Sequence, residues 1–150
     1  MKTRELLKSF YLFRGAEAAD LAAVEAVVEP ARYAPGEAIF HEGDEATAMY
    51  LVELGTIEVV QGVTVLATLG SGGAFGELAF FDPGKRSAAA RTREASHVIG
   101  VPFAALTQTL APRPALALVF HRNACAFLAR RLRQTSLDLS FSRELNRQHL

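Results

Sequence analysis

Apolar residues recur with a helical period at both ends of this chain and with a strand period between them, and that switch limits its fold more than any other feature. Over residues 3–28, Leu6, Leu7, Phe10 and Tyr11, then Leu21, Val24, Val27 and Val28, fall at i, i+3, i+4 spacing and mark two amphipathic helical pieces. Gly15 separates the pieces, and Pro30 is expected to close the second, because proline cannot continue a helix comfortably. Residues 31–101 change character. The short apolar runs Ala38–Phe40, Met49–Val52, Thr56–Val60 and Val63–Leu69 are set apart by Pro35-Gly36, Glu42-Gly43-Asp44, Gly55, Gly62 and Gly70. Enrichment in Val, Ile, Thr and Tyr between frequent turn residues predicts strands of a sandwich or roll. Gln61-Gly62 predicts a tight hairpin, and His97–Val101 predicts one more strand before Pro102.

Helical spacing returns after residue 102. Phe103–Leu110 reads as a short helix, and Pro112 and Pro114 mark the start of the next, on which Leu116, Phe120, Ala124, Phe127 and Leu128 form an apolar stripe. The order helix, β roll, helix predicts a single α+β domain over residues 1–150, with the roll at about 30–101 and C-terminal helices at about 102–150. Half the residues are hydrophobic, so a core is well supplied. Sixteen basic and sixteen acidic residues cancel, which removes any global attraction to nucleic acid or to an anionic membrane. Cys125 is the only cysteine, so no internal disulfide forms. The N-terminal apolar residues are broken by Lys8, Arg14 and Glu17, unlike a signal peptide, and no window approaches the ~20 apolar residues of a membrane span. A soluble cytoplasmic protein with no membrane partner is expected.

Chemistry-bearing residues concentrate in Phe75-Gly76-Glu77-Leu78-Ala79-Phe80-Phe81-Asp82-Pro83-Gly84-Lys85-Arg86-Ser87-Ala88-Ala89-Ala90. Upstream, Gly70, Gly72, Gly73 and Gly76 let the backbone approach a ligand without a Cβ in the way. Glu77–Phe81 is expected to make one helical turn, whose first N–H groups lack intrahelical partners and suit an anion. Arg86 offers a fixed charge and paired donors to anionic oxygens, and Glu77 offers an acceptor to hydroxyls. Asp82-Pro83-Gly84 has the residues of a tight turn that folds Arg86 back toward the glycines. The competing assignment is a hairpin rim on which Glu77 and Arg86 form a surface pair. Two other phosphate motifs fit worse. Gly70, Gly72 and Gly76 miss the G-x-G-x-x-G spacing by one residue, and Gly84-Lys85-Arg86-Ser87 lacks the hydroxyl directly after lysine that a P-loop needs.

This stretch resembles the phosphate-binding cassette of the cyclic nucleotide-binding domain family. Phe75-Gly76-Glu77-Leu78-Ala79 and Arg86-Ser87-Ala88 match its two halves, with Lys85 in place of the usual proline. Pro35–Asp44 and Tyr50–Val59 look like the family's roll strands, and the likeness covers roughly residues 10–136. The resemblance implies an eight-stranded antiparallel, jelly-roll-like β roll flanked by N-terminal helices and a long C-terminal helix. It implies Glu77 on the ribose 2′-hydroxyl and Arg86 on the cyclic phosphate. Backbone N–H groups near Gly76–Leu78 and Ser87–Ala88 would complete the phosphate contacts, and Leu66 and Ala67 would lie beside the base. The implied ligand is cAMP or cGMP. Ser87 fits a cAMP site, although a hydroxyl there also contacts guanine.

The last helix adds a second clue. Ala124, Phe127, Leu128, Arg131 and Thr135 share a face, and a charge on an apolar face needs a partner. Glu77 is the candidate; the alternative is that Arg131 snorkels to solvent. Ala129–Ser136 resembles the dimer helix of the catabolite activator branch of the family, in which a Thr-Ser pair contacts adenine and the partner subunit supplies the serine. Thr135 and Ser136 would then read the base. The competing assignment for Thr135-x-x-Asp138 is a helix-capping box.

Together these features point to a cyclic nucleotide sensor, with cAMP favoured, whose output is a movement of the C-terminal helix. A homodimer through that helix and an unidentified effector protein are the expected partners. No nucleophile–base pair or metal triad is visible, so neither an enzyme nor a metal or other cofactor is expected. His121 and Cys125 are four apart but have no third ligand, and His41 and His97 are isolated. The catabolite activator likeness stops near residue 136. Leu137–Leu150 is too short for a helix-turn-helix, so this chain is not expected to bind DNA specifically. The alternatives are a ligand-free structural or dimerisation module and a truncated transcription regulator.

Overall fold

The helical period at the N-terminus yields α1 (Thr3–Ser9), a 3-10 turn (Tyr11–Phe13) and α2 (Ala18–Glu25) in the computed structural model. The structure describes residues 2–148; Met1, His149 and Leu150, which the domain expected over 1–150 also takes in, lie outside the described residues. Eight strands follow: β1 (Glu29–Tyr33), β2 (Ala38–Phe40), β3 (Ala48–Leu54), β4 (Ile57–Gln61), β5 (Thr64–Leu69), β6 (Ala74–Phe75), β7 (Ala89–Thr92) and β8 (Ser96–Pro102). The chain closes with α3 (Phe103–Leu110) and α4 (Pro114–Gln148). The strands form two four-stranded antiparallel sheets, in the orders β1-β8-β3-β6 and β2-β7-β4-β5. This is the α+β roll flanked by helices that the sequence resemblance implies. Among the described residues no helix is long and apolar enough to cross a membrane.

Pro30 does not close α2. The helix ends at Glu25, and Pro30 lies within β1, opposite Ile99. β1 pairs with β8 alone and is therefore an edge strand, the place in a sheet where a residue without an N–H is tolerated. The hairpin expected at Gln61-Gly62 is present, with Gln61 paired to Thr64 and Gly62 at φ +60°.

β3 and β8 are the central strands of their sheet and are buried on both faces. Successive side chains of a strand point to opposite faces. Met49, Leu51, Ile99 and Val101 therefore face the helices, where they pack with Leu6, Leu7, Phe10, Phe13 and Phe120. Val52 and Val98 face the inside of the roll and pack with Ile57, Phe75 and Ala90. A strand covered on both sides has no polar face, which is why these two read as continuous apolar runs.

α4 keeps its apolar stripe only in part. Leu116, Phe120 and Ala124 are buried and Phe127 is half-buried, but Leu128 is exposed, as is every residue from there to Arg147. The helix leaves the domain body just after it passes the 3-10 turn. It is fastened there by Asn123, whose Nδ2 donates to the carbonyls of Leu12 (3.0 Å) and Arg14 (2.9 Å). The second half of α4 projects without intrachain cover, so hydrophobic periodicity there reports something other than this domain's core.

Candidate functional site

β6 ends at Phe75, and Gly76 after it adopts φ +76° and starts a 3-10 turn over Glu77–Phe80. Two facts make glycine necessary at this position. The left-handed conformation disfavours a side chain, and a Cβ would lie 2.7 Å from Nη1 of Arg86. The chain then runs through Asp82-Pro83-Gly84 and returns. Arg86 is pinned through its backbone by the loop between β2 and β3. Its N–H donates to the Asp44 carbonyl (2.7 Å) and its carbonyl accepts from Gly43 N–H (2.8 Å), while Ala46 N–H donates to the Gly84 carbonyl (3.0 Å). The expected return of Arg86 toward the glycines is realised, although the loop at Gly43–Ala46, rather than the Asp-Pro-Gly turn alone, sets its position.

Both polar residues of the turn are buried, Glu77 at 9% exposure and Arg86 at 7%. The surface pair considered for them is thus overturned. Nor do they form an ion pair with each other. Arg86 Nη1 donates to the carbonyl of Gly76 (3.1 Å), the residue before Glu77, and Nη2 donates to the carbonyl of Ala48. Its guanidinium lies 4.0 Å from the centre of the Phe40 ring and 5.9 Å from that of Tyr50. Tyr50 stacks in turn on Phe75, and Gly100 across the sheet leaves room for the Tyr50 ring, since a Cβ there would come within 3.4 Å of it.

The guanidinium has hydrogen-bond partners but no counter-charge. Among the described residues no carboxylate forms a salt bridge with Arg86, and its Nε is buried without a partner. Burial pulls its pKa below the ordinary arginine value, and Tyr50 and Asp44 offset this only in part. An uncompensated buried cation is costly, so this position is electrostatically primed for an anion.

Glu77 turns the other way. Its Oε1 accepts from the hydroxyl of Tyr11 in the N-terminal 3-10 turn, at 3.2 Å. The Tyr11 ring stacks on Phe127 of α4, with centroids 4.6 Å apart and planes at 26°. Burial and then the charge of Glu77 push the Tyr11 phenol above its ordinary pKa, while Arg131 opposes the shift. The acid of the turn is therefore linked to the long helix through one aromatic contact.

The remaining candidates are distributed as follows. Leu78 is exposed, Ala88 is buried, and Ser87 is exposed with its carbonyl accepting from Gln61 Nε2 at 3.1 Å. Leu66 is exposed and Ala67 half-buried on β5, an edge strand, with Ala67 paired to Val59. Arg131 does not reach Glu77. It is exposed and sits 5.5 Å from the centre of the Phe127 ring, which corrects the expected ion pair in favour of a side chain that snorkels along an aromatic face. Thr135 and Ser136 lie on the projecting part of α4, roughly 12 Å along the axis beyond Phe127 at 1.5 Å per residue. The capping box proposed for Thr135 is absent. α4 runs unbroken through it, and Thr135 Oγ1 donates instead to the Arg131 carbonyl. The structure brings Gly76 and Arg86 together, and with them the short segments Gly76–Leu78 and Arg86–Ala88, but it turns the Glu77 carboxylate to Tyr11 rather than to Arg86, and it leaves Arg131, Thr135 and Ser136 outside the turn within a single chain.

Sequence reasoning missed Phe40, Tyr50 and the Ala48 carbonyl around Arg86, and Tyr11 on Glu77. Tyr11 was visible only as one apolar-face residue of a helical pattern, and nothing local marked Phe40. Two surface clefts lie apart from the turn. One is bounded by Pro30, Arg32, Glu53 and His97, and the other runs along α4 between Leu132, Ser136, Leu137 and Ser140. Among the described residues no group of three or more His, Cys, Asp or Glu side chains is placed to hold a metal ion.

Comparison with known proteins gives this geometry a context. The model of the family described as "Cyclic nucleotide-binding domain" matches residues 30–113, which include both halves of the glycine–arginine turn. The chain is 29% identical over 141 residues to a CRP-like cAMP-activated global transcriptional regulator of Mycobacterium tuberculosis, covering 91% of this chain and 61% of the relative. The crystal structure of the Thermus thermophilus catabolite activator protein superposes with a TM-score of 0.74 at 30% identity, over 87% of this chain and 62% of that one. The N-terminal domain of a transcriptional regulator from Streptomyces coelicolor A3(2) superposes with a TM-score of 0.76 at 29% identity, over 87% of this chain and 94% of that one. The chain thus spans less than two thirds of the length of the curated regulator it matches.

Proposed function

This chain belongs to the cyclic nucleotide-binding domain family, and from that membership we propose that it is a sensor domain for a cyclic nucleotide, cAMP by preference, which passes occupancy of the turn at Gly76–Ala88 to α4. The observation that carries this is Arg86: a buried guanidinium without a counter-ion, with an unpartnered Nε, at the mouth of a glycine turn. A cyclic phosphate supplies the missing charge. Glu77 then accepts from the ribose 2′-hydroxyl, backbone N–H groups of Gly76–Leu78 and Ser87–Ala88 assist on the phosphate, and Leu66 and Ala67 flank the base. The cAMP preference is supported by Ser87 and by the names of the relatives.

The test is calorimetric titration of the chain with cAMP and with cGMP, alongside thermal unfolding. Saturable binding with tighter cAMP is expected. No heat and no thermal shift at millimolar ligand would leave a scaffold module in its place.

Dimerisation through α4 belongs to the same proposal. Leu118, Cys125, Leu132 and Leu139 are exposed at successive heptad a positions, with Leu128 at a d position between them, a stripe that a second helix can cover. Thr135 and Ser136 lie on the same length and would approach a ligand from the dimer seam. The expected mass in solution is twice that of the chain. Leu132→Lys, which puts a charge into the middle of the seam, should halve it at micromolar concentration. A wild-type chain that sediments as a monomer would remove the dimer.

A further inference from the structure

We propose that Tyr11 is the positioning residue that lets Glu77 discriminate a ligand bearing a sugar hydroxyl: the phenol holds one carboxylate oxygen and thereby presents the other to the ligand. This rests on the cyclic nucleotide function proposed above and adds to it a residue from outside the turn.

The Glu77 carboxylate has one protein partner among the described residues, the Tyr11 hydroxyl on Oε1. Oε2 has none and is not wholly buried. The small remaining exposure of Glu77 includes this oxygen. A carboxylate has acceptor sites to spare on two oxygens, so Tyr11 and a ligand hydroxyl can be bound together without competing. Toward the Glu77 carboxylate, which can only accept, the phenol is the donor, and burial and the neighbouring charge keep its proton in place.

The position of the hydroxyl is itself fixed. The Tyr11 ring is stacked on Phe127 and set edge-on against Phe10, with centroids 5.1 Å apart and planes at 87°. The Asn123 amide ties the carbonyls of Leu12 and Arg14 to α4. Glu77 is aimed by Tyr11, and Tyr11 is aimed by α4. Without the phenol, the carboxylate is free to rotate about its last torsion and to draw water.

The test compares cAMP and 2′-deoxy-cAMP on the full chain by calorimetry. Wild type is expected to prefer cAMP. Tyr11→Phe keeps both ring contacts and should melt close to wild type. It should lose roughly ten-fold in cAMP affinity, the scale of a hydrogen bond to a charged group, with 2′-deoxy-cAMP unchanged. Phe127→Leu should lower cAMP affinity in the same selective way but less, and the double variant should be no worse than Tyr11→Phe alone. Equal losses for both ligands would reduce Tyr11 to a packing residue, and tighter cAMP binding by Tyr11→Phe would make the phenol a competitor; either overturns the proposal while leaving the sensor function standing. A wild type that binds neither ligand overturns the sensor function. One that binds both equally removes Glu77 as the hydroxyl acceptor, and the role of Tyr11 with it.

Discussion

Replacing Arg86 with alanine is expected to weaken cAMP binding by roughly thirty-fold to a few thousand-fold, the range set by about 2–5 kcal/mol for the loss of one partner of a buried charge pair. The size follows from the surroundings of the guanidinium. It is already dehydrated and fixed by the carbonyls of Gly76 and Ala48 and by the face of Phe40, so little ordering remains to be done when an anion arrives. Alanine also leaves those two carbonyls without donors, so thermal unfolding has to be measured beside affinity. Arg86→Lys separates the two effects. It keeps the charge but loses the planar fork, and should bind more weakly than wild type and more tightly than the alanine variant. Undiminished affinity in Arg86→Ala at unchanged fold would take the phosphate away from this turn.

The second large effect is on stability. Phe120→Ala should destabilise the domain by about 3–5 kcal/mol, the usual range for truncating a buried phenylalanine. For a domain of this length that corresponds to a fall in Tm of roughly 6–20 °C. Phe120 is fully buried and joins three segments distant in sequence. It packs on Phe13 of the 3-10 turn and on Phe80 and Phe81 at the end of the glycine turn, from its place on α4. No neighbouring side chain can collapse into the space without leaving one of the three. A denaturation midpoint within experimental error of wild type would show that these segments are not held by a common core.

The two variants probe different halves of one mechanism. Arg86 reports the charge that an anion must meet. Phe120 reports the aromatic contacts that tie the end of the turn to α4, and the Tyr11–Phe127 stack is a second tie through Glu77. Ligand binding can shift α4 only through a difference in contacts between its positions, and this cluster is where such a difference is available.

Much of the fold was legible because it is written in period. α3, the start of α4 at Pro114, the β4–β5 hairpin and the strands β2, β3, β4, β5 and β8 all follow from local spacing and turn chemistry. The strands missed were those without such a signal. β7 is Ala89-Ala90-Arg91-Thr92, an alanine-rich run that is a strand only because β2 and β4 pair with it on either side. β6 has two residues. β1 carries Pro30 and two charged residues, and it is a strand because it pairs with β8 at an edge where proline is tolerated. At the site, the glycines, Glu77 and Arg86 were visible because each residue type has a narrow chemical use in that order. The partners that hold them were not visible.

The sequence by itself settled the helices, the β4–β5 hairpin, the strands with a clear period, and which two ionisable side chains would share one glycine bend, since all of these depend on residues a few positions apart. Tertiary structure alone decided that Arg86 is buried beneath Phe40 without a counter-ion and that Glu77 is held by Tyr11 rather than by Arg131. Those contacts join residues tens of positions apart, and no local pattern encodes them. They exist because packing the helices and the two sheets into one core brings those side chains to the same place.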